Sequence, residues 1–355
     1  MRIVVVGATG NVGTSLLRAL GQDPDVDEVI GVARRVPSLV LPKTTWVQAD
    51  VVHSDLTPIF RGADAVIHLA WLIQPSRDEA TTRATNVEGS SRVFAAVGSA
   101  EVPTLVYASS VGTYSPGPKD RRVDESWPTD GIETSYYSRH KAEVERRLDR
   151  FEREHPGRRV VRLRPGLIFK GDAASGIRRL FAGPFLPNPL LRRELIPVLP
   201  VTERLIFQAV HAHDVGEAYR LATMSQTARG AYNIAAEPVL DPARLGRLLG
   251  ARPVKVPRGA LRRAAEVSWR LRLQPTDASW LDLGLDTPLM DTTRAREELG
   301  WRAQRSSEDA LAELIEGMRQ GTGFDTPPLA RRTGGPLRIR EITSGIGARI
   351  GLTKG

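Results

Sequence analysis

Short runs of β-branched residues alternate with longer amphipathic segments over the first third of the chain. The runs predict strands, short and rich in Val and Ile as in strands buried on both faces, at residues 2–6, 28–33, 45–48, 65–69, 104–108 and 159–163. Apolar residues at helical spacing predict crossover helices at 11–20, 82–100 and 137–155. This alternation predicts an α/β fold with a doubly wound parallel sheet.

The periodic segments become shorter after residue 165, where prolines are frequent. Helices are predicted at 214–224 and 307–318, and a strand at 231–235. We predict three regions: a core over 1–165, a smaller C-terminal α+β substrate lobe over 166–320 with some segments returning to the core, and a basic, flexible tail over 321–355.

Three glycines, Gly7, Gly10 and Gly13, stand between the first predicted strand and the first helix. A strand that runs into such a loop and at once into a helix presents backbone N–H groups and the helix dipole to a pyrophosphate. Gly7 makes the turn, Gly10 lets a phosphate approach, and Gly13 lets the helix pack closely on the strand. Other candidate contacts in this glycine loop, residues 7–13, are Thr9, Asn11 and Val12. The core is therefore predicted to be an NAD(P)-binding Rossmann domain.

A phenol and an ammonium, those of Tyr137 and Lys141, stand four residues apart in a predicted helix and so share one of its faces. A neighbouring Lys⁺ stabilises a phenolate, so Lys141 is expected to lower the pKa of Tyr137 toward neutrality. Such a phenol gives or takes a proton while hydride moves to or from a nicotinamide. Tyr136 is five residues from Lys141 and lies off the shared face.

The glycine spacing and the Tyr-x-x-x-Lys pair, together with residues 106–114 (VYASSVGTY), resemble the extended branch of the short-chain dehydrogenase/reductase superfamily, the NAD-dependent epimerase/dehydratase family. Further similar segments extend the resemblance over about residues 1–320, namely 66–70, 85–90, 164–169, 210–215 and 292–301.

The resemblance implies roles for single residues. Ser110 is implied as the hydroxyl partner of the catalytic Tyr137, at a strand end where it can hydrogen-bond the reacting oxygen, whereas Ser109 is expected to satisfy backbone groups. Asn86 is implied to order its helix and an active-site water, with the capping of a turn as the alternative. Besides Tyr137 and Lys141, cofactor contacts are implied at Asp50, Val51, Leu69, Ala70, Pro165 and Ile168.

The second predicted strand is followed by Arg34 and Arg35. Family members that use NAD carry an acidic residue there, which accepts from the ribose 2′-OH. Two guanidinium groups suit a 2′-phosphate instead. NADP is therefore the favoured cofactor, and NAD is the alternative if the two arginines simply face solvent.

Two departures from the family pattern bear on the substrate. Ser115 and Pro116 replace the glycine that follows Val-Tyr in nucleotide-sugar enzymes, which puts a sugar-nucleotide substrate in doubt. Val111 and Gly112 stand where sugar-nucleotide dehydratases tend to place an acidic residue, so dehydration is disfavoured.

The composition excludes several kinds of chemistry. Without Cys among 355 residues, the chain has no disulfide, thiolate metal site or cysteine nucleophile, and redox chemistry must come from a cofactor. His211 and His213 have no third ligand nearby, so they are predicted to be structural, and no metal is expected. The absence of a long apolar run and of a secretory leader pattern predicts a cytoplasmic protein without integral membrane association.

The net charge of +9 lies largely outside the predicted core. Residues 321–355 hold six basic and two acidic residues. Further basic residues cluster at Arg178, Arg179, Arg192 and Arg193 and at Arg258, Arg262, Arg263, Arg270 and Arg272. Because no nucleic-acid-binding motif accompanies the charge, a solvated face or contact with an anionic substrate is predicted, and no nucleic-acid partner.

The leading prediction of function is an oxidoreductase that exchanges hydride between NADP(H) or NAD(H) and a secondary alcohol or ketone of a small-molecule substrate. Tyr137 handles the proton, Lys141 tunes Tyr137 and holds the ribose, and Ser110 polarises the carbonyl. An NAD(P)-dependent epimerase of a sugar or sugar nucleotide is the alternative that uses the same residues. A non-enzymatic cofactor-sensing regulator is the alternative of another class. The resemblance also implies a homodimer through the helices over 85–100 and 137–155.

Overall fold

The computed structural model describes residues 1–73, 77–181, 197–274 and 276–330. The strands in these ranges are β1 (Arg2–Val6), β2 (Glu28–Ala33), β3 (Thr44–Gln48), β4 (Ala65–His68), β5 (Thr104–Ala108), β6 (Arg122–Val123), β7 (Arg159–Pro165), β8 (Leu167–Phe169), β9 (Val198–Val201), β10 (Ala209–His211), β11 (Gly230–Ile234), β12 (Arg252–Lys255) and β13 (Leu289–Met290). The helices are α1 (Asn11–Gln22), α2 (Thr57–Phe60), α3 (Glu79–Arg83), α4 (Gly89–Ser99), α5 (Tyr136–Glu154), α6 (Ala174–Phe181), α7 (Ala212–Met224), α8 (Pro242–Leu249), α9 (Arg258–Arg270), α10 (Ala278–Asp286), α11 (Thr293–Glu298) and α12 (Ser307–Gln320). A π-helical turn at Ala84–Glu88 joins α3 to α4.

Seven strands of the described chain form one parallel sheet in the order β11-β7-β5-β4-β1-β2-β3. The strands that follow β1 in the chain lie on both sides of it, with β2 and β3 on one side and β4 and β5 on the other. Open α/β sheets bind ligands at the carboxyl ends of the strands at such a point. Helices α1 and α7 pack on one face of the sheet, and α2, α4 and α5 pack on the other, through their apolar residues. The predicted doubly wound α/β fold is confirmed.

Strand β3 corrects the prediction that every strand is buried on both faces. Thr45 and Gln48 are exposed, and Trp46 is only partly buried. The physical reason is that fewer side chains cover the faces of β3 than those of β11, the buried strand at the other edge of the sheet. The bounds predicted for β1, β2 and β5 are confirmed, whereas the single helix predicted over 82–100 is divided by the π-helical turn.

Helix α5 begins and ends at signals that are local in the sequence. The Ser135 side chain caps it by accepting a hydrogen bond from the N–H of Ser138 at 3.4 Å. The helix ends just before Pro156, which cannot continue it. Its buried apolar residues recur every three or four positions, at Val144, Leu148 and Phe151. This spacing holds one face of α5 on the sheet and fixes which residues of the first turn reach the sheet's carboxyl edge.

A smaller apolar core lies outside the central sheet. It joins the parallel pair β8 and β10 to helices α6, α8 and α12. Its buried residues include Phe169, Leu240, Leu245 and Leu314. Strand β11 is late in the chain but lies in the central sheet beside β7. The division into a core over 1–165 and a substrate lobe over 166–320 stays a prediction.

The chain that follows α12 packs back onto the rest of the molecule. Gly321 caps α12 with a φ of 63°, and both Thr326 and Leu329 are buried. Residues 321–330 therefore contact earlier parts of the chain, and the flexibility of the tail over 321–355 stays a prediction.

Parts of the predicted basic surface lie outside the described residues: the tail over 331–355, Arg192 and Arg193, and the side chain of Arg179. Within the described ranges, no helix combines the length and the apolar character that crossing a membrane requires.

Candidate functional site

The glycine loop lies between the end of β1 and the start of α1. Gly7 has a φ of +88°, and a Cβ added there would lie 2.6 Å from the backbone nitrogen of Ala70. Only glycine allows both this conformation and this close approach. Leu69 donates its N–H to the carbonyl of Val6 at 2.8 Å. The glycine loop and the pair Leu69 and Ala70, all predicted to contact the cofactor, are therefore adjacent.

The start of α1 fits a pyrophosphate. Gly10 is the N-cap residue, and no side chain of the described residues caps this end of the helix. A Cβ on Gly10 would meet one atom of the described chain within 4 Å, the carbonyl oxygen of Gly7 at 3.4 Å, so the space on that side is open. The first N–H groups of a helix have no acceptors within the helix, and its dipole attracts anions. Asn11, Val12 and Gly13 therefore offer donors to a dinucleotide phosphate.

Asn11 ties the glycine loop to the segment predicted to border the nicotinamide. Its Nδ2 donates to the carbonyl of Ile168 at 3.4 Å. Ile168 lies in β8, shortly after Pro165, which ends β7. The structure thus brings Ile168 to the loop, as the predicted cofactor site requires.

Four further candidate contacts follow β2 and β3. Arg34 and Arg35 come directly after β2 and are exposed. Asp50 follows β3, and its Oδ1 accepts from the N–H of Val52 at 2.9 Å, while Val51 is buried. Because the carboxyl ends of parallel strands meet at one edge of a sheet, all four lie at the same edge as the glycine loop.

Ser110 and Tyr137 meet where β5 ends and α5 begins. The Oγ of Ser110 is buried and accepts from the N–H of Gly112 at 3.0 Å. The Ser110 hydroxyl also lies near the phenol of Tyr137 and lowers its pKa. A Cβ on Gly112 would lie 2.9 Å from Cε1 of Tyr137, so glycine at this position lets the phenol reach the serine. The structure brings these two predicted catalytic residues into direct contact.

Two indole rings flank Tyr137, and neither was predicted from the sequence. The ring centre of Trp71 lies 5.9 Å from that of Tyr137, and the ring centre of Trp280, in α10, lies 5.5 Å away. Burial raises the pKa of Tyr137 to about 12, and the nearby Ser110 hydroxyl opposes that rise. The phenol is therefore protonated at neutral pH.

Lys141 lies one turn further along α5, where other groups hold its ammonium. Its Nζ donates to the carbonyl of Ala108 at 2.6 Å and lies 3.5 Å from the ring centre of Trp71. Burial lowers the pKa of Lys141 well below its usual value, and the charge of Glu145 opposes this effect. The predicted lowering of the Tyr137 pKa is wrong in this structure, because burial dominates the phenol and the ammonium is engaged by Ala108 and Trp71.

Asn86 holds the segment that follows β4. Its Nδ2 donates to the carbonyl of Leu72 at 3.1 Å, and its Oδ1 accepts from the N–H of Leu72 at 2.7 Å. Asn86 is buried within the π-helical turn, so it positions the loop that carries Trp71. Its catalytic role stays a prediction.

A buried ion pair, which sequence reasoning missed, lies next to these residues. Arg164 donates from Nε to Glu145 Oε1 at 2.9 Å and from Nη2 to Oε2 at 2.5 Å. The hydroxyl of Ser109 also donates to Glu145, so the expectation that Ser109 satisfies backbone groups is wrong. Burial alone would raise the pKa of Glu145, but the hydrogen bonds and charge of Arg164 hold it below its usual value. The pair joins α5 to β7 and to the end of β5.

Residues from later parts of the chain contact the glycine loop and the first turn of α1. Lys170 is buried, its Nζ donates to the hydroxyl of Thr14 at 3.0 Å, and burial lowers its pKa to about 8. The ring centre of Phe324 lies 5.5 Å from the same Nζ. Thr326 donates its hydroxyl to the carbonyl of Thr9 at 2.9 Å. These residues lie far along the chain from the glycine loop, yet their contacts help to hold it in place.

His211 and His213 make contacts of a structural kind. His211 is the N-cap residue of α7, and its Nδ1 accepts from the N–H of His213 at 3.1 Å. Nη1 of Arg305 lies 2.8 Å from a nitrogen of His211 and 3.2 Å from one of His213. A guanidinium beside both rings repels a second cation.

Comparisons with known proteins agree with this arrangement. The model of the NAD dependent epimerase/dehydratase family matches residues 3–235. An uncharacterized protein of Mycobacterium tuberculosis is 26% identical over 348 residues, 96% of this chain and 32% of that protein, so the chain spans about a third of this relative's length. The L-arabinose 1-dehydrogenase (NAD(P)(+)) of Haloferax volcanii is 35% identical over 111 residues, 31% of this chain and 41% of that enzyme. The solved UDP-glucose 4-epimerase of Thermotoga maritima with UDP-glucose has a TM-score of 0.68 at 21% identity, covering 90% of this chain and 99% of that chain, which shows the same fold.

Proposed function

The chain belongs to the NAD-dependent epimerase/dehydratase family, and from that premise we propose that it exchanges hydride between a nicotinamide dinucleotide and a secondary alcohol or ketone of a small-molecule substrate. It is an enzyme of the extended short-chain dehydrogenase type. The observation that carries the proposal is the position of the Tyr137 phenol beside Ser110 and Gly112 at the carboxyl edge of the sheet, one helical turn before Lys141.

Tyr137 is the acid–base residue in this proposal, and Ser110 is its partner at the reacting oxygen. When bound, a nicotinamide dinucleotide supplies or accepts the hydride. In reduction, the phenol of Tyr137 gives its proton to the carbonyl oxygen of the substrate while Ser110 donates a hydrogen bond to that oxygen. In oxidation, Tyr137 takes the hydroxyl proton of the substrate. A pKa of about 12 keeps Tyr137 protonated, which favours its role as the proton donor in reduction.

The described residues fit the dinucleotide, since the uncapped start of α1 opens onto free space beside Gly10. Lys141 is proposed to hold the ribose. The other residues proposed to hold the dinucleotide are Gly7, Thr9, Gly10, Asn11, Val12, Gly13, Asp50, Val51, Leu69, Ala70, Pro165 and Ile168.

An epimerase of a sugar or sugar nucleotide is the second candidate. The family and the fold shared with the UDP-glucose 4-epimerase of Thermotoga maritima favour it. The partial match to the L-arabinose 1-dehydrogenase favours net oxidation or reduction. Both candidates use Tyr137 and Ser110 in the same proton step. They differ in whether the hydride returns to the substrate.

A panel of ketones, sugars and sugar nucleotides, each tested with both nicotinamide dinucleotides, separates these candidates. We expect the nicotinamide absorption band to change in step with product formation, because an oxidoreductase leaves the cofactor changed. Turnover to a separable stereoisomer without net change at that band would favour the epimerase. Dinucleotide binding without turnover of any compound in the panel would favour a cofactor-sensing regulator.

NADP is the dinucleotide that we propose as preferred, with NAD as the alternative. Arg34 and Arg35 are exposed after β2, and Gln48 Nε2 donates to the carbonyl of Arg34 at 3.1 Å, which fixes the backbone there. Guanidinium groups bind phosphate through charge-assisted, bidentate hydrogen bonds. The two exposed guanidinium groups support the proposed preference for a 2′-phosphate.

The variant with Arg34→Ala and Arg35→Ala is expected to raise the Kd of NADPH by roughly 10- to 100-fold, as the loss of one charge-assisted hydrogen bond would. The Kd of NADH is expected to stay unchanged, and protein fluorescence during titration measures both constants without turnover. The control carries Arg61→Ala and Arg302→Ala, which remove equal charge from exposed sites elsewhere. Equal losses for both dinucleotides, or no loss, would contradict the NADP preference.

A homodimer through α4 and α5 is also proposed. A groove of about 1040 Å³ follows these two helices and is lined by residues of both, among them the charged Glu143 and Arg147 of α5. A concave surface shared by the two helices supports this proposal. The cytoplasmic location and the absence of a nucleic-acid partner stay predictions.

A further inference from the structure

Helix α9 has no buried residue. One stripe along it is apolar and exposed, at the spacing of successive helical turns: Ala260, Ala264, Val267 and Leu271. Val267 is 54% exposed, Leu271 is 65% exposed, and Leu273, just beyond the helix, is 57% exposed. Aliphatic side chains exposed together in this way mark an interaction surface.

The residues beside this stripe are basic. Arg263 and Arg272 are exposed and form no ion pair with any residue that the structure describes. Arg270 pairs with Glu266 at 2.7 Å, yet its side chain stays 73% exposed. We call the stripe, Leu273 and the three arginines the α9 surface. It combines apolar contact with positive charge.

The opposite side of α9 is fastened beside the candidate active site. Two of its arginines donate to carboxylates of α10, and one of these bonds runs from Arg262 Nε to Asp282 Oδ2 at 3.1 Å. The same helix α10 carries Trp280, whose ring flanks that of Tyr137. The α9 surface is therefore separated from the candidate catalytic phenol by a single helix.

We propose that the α9 surface docks on an anionic lipid bilayer. A helix with an apolar stripe between arginines lies in the plane of a membrane interface, with its aliphatic side chains at the acyl boundary and its guanidinium groups at the lipid phosphates. This docking does not depend on the proposed reaction.

Charge disfavours two other occupants of the α9 surface. A second copy related by a two-fold axis would set Arg263, Arg270 and Arg272 against the same three arginines. Residues 331–355 of this chain hold six basic residues and one acidic residue, so they repel the surface as well. An anionic bilayer satisfies the apolar stripe and the arginines together.

Co-sedimentation of the full chain with vesicles tests this proposal. We expect binding to phosphatidylcholine vesicles that contain phosphatidylglycerol, weakened by salt, and no binding to phosphatidylcholine alone. The variant Arg263→Gln with Arg272→Gln is expected to bind about 30-fold more weakly, since a basic residue at an anionic membrane contributes roughly a factor of five. Val267→Gln with Leu271→Gln is expected to weaken binding at least about tenfold.

Matched controls remove the same groups from other exposed sites. Arg61→Gln with Arg302→Gln removes equal charge, and Val40→Gln removes an aliphatic side chain that is 90% exposed. Both are expected to bind vesicles as the wild type does, and circular dichroism checks the fold of every variant. The proposal is overturned if the wild type does not distinguish the two vesicle types or if the α9 variants bind as tightly as the wild type. It is equally overturned if those variants convert a dimer to a monomer, which would assign the surface to a second copy.

Discussion

Tyr137→Phe is expected to lower kcat by roughly 10²- to 10⁴-fold, the range that a positioned acid–base group contributes. The change removes the hydroxyl that lies near Ser110 and leaves the ring between Trp71 and Trp280. KM and the unfolding temperature are therefore expected to stay near those of the wild type. Steady-state kinetics on a substrate from the panel measures the effect, and a dinucleotide titration checks that the site still binds.

Tyr136→Phe is the matched control, because it removes the same atom from the preceding residue of α5. It is expected to turn over as the wild type does. Wild-type turnover by Tyr137→Phe would assign the proton step to another group. Equal losses in both variants would point to damage at the start of the helix and away from the phenol.

Arg164→Met is expected to lower the free energy of unfolding by roughly 3–5 kcal/mol, the range for removing one partner of a buried ion pair. Glu145 then stays buried without the two hydrogen bonds that hold its carboxylate. Denaturant unfolding at neutral pH measures the difference. Since Arg164 holds the pKa of Glu145 below its usual 4.5, the stabilisation is present above that pH. It is lost as the pH falls through the lowered pKa, so the two proteins should converge in acid.

Two further variants separate the contribution of charge in the Arg164–Glu145 pair from that of side-chain packing. Glu203→Gln breaks an ion pair with Lys255 in which each side chain is 79% exposed, so solvent screening should leave the free energy of unfolding nearly unchanged. Glu145→Leu with Arg164→Met replaces both charges by apolar groups and is expected to recover most of the loss. A double variant as unstable as Arg164→Met would place the cost in packing or in the hydrogen bonds from Arg164 to the Tyr114 hydroxyl and the Glu125 carbonyl.

The features predicted correctly from the sequence depend on local patterns. The spacing of Gly7, Gly10 and Gly13 follows from one turn between a strand and a helix, so seven consecutive residues are enough to recognise the phosphate-binding loop. The spacing of Tyr137 and Lys141 follows from the helical period in the same way. Both sets of residues lie where that reasoning places them, at the carboxyl edge of the sheet.

The groups that surround Tyr137 follow no such spacing rule. Trp280 and Lys170 reach the site through tertiary packing, and the exposure of β3 depends on how few side chains cover its faces. Arg164 did leave a signal, because strand β7 carries three arginines, Arg159, Arg162 and Arg164, and a buried charge requires a partner. The sequence does not identify that partner, since Glu145 becomes its neighbour only when α5 packs against the sheet.

The hydrogen bond from Thr326 to Thr9 joins residues that are 317 positions apart. Ribosomes add roughly 5–20 residues per second, so residue 326 is made roughly 15–60 s after residue 9. Strand β11, the last of the central sheet, ends at Ile234 and is synthesised well before that. During translation the nascent chain can therefore hold every strand of the sheet while the backbone of its glycine loop still lacks the contact from Thr326. The contact of Thr326 with the candidate nucleotide site can thus form only late in synthesis, once residues 321–330 have been made.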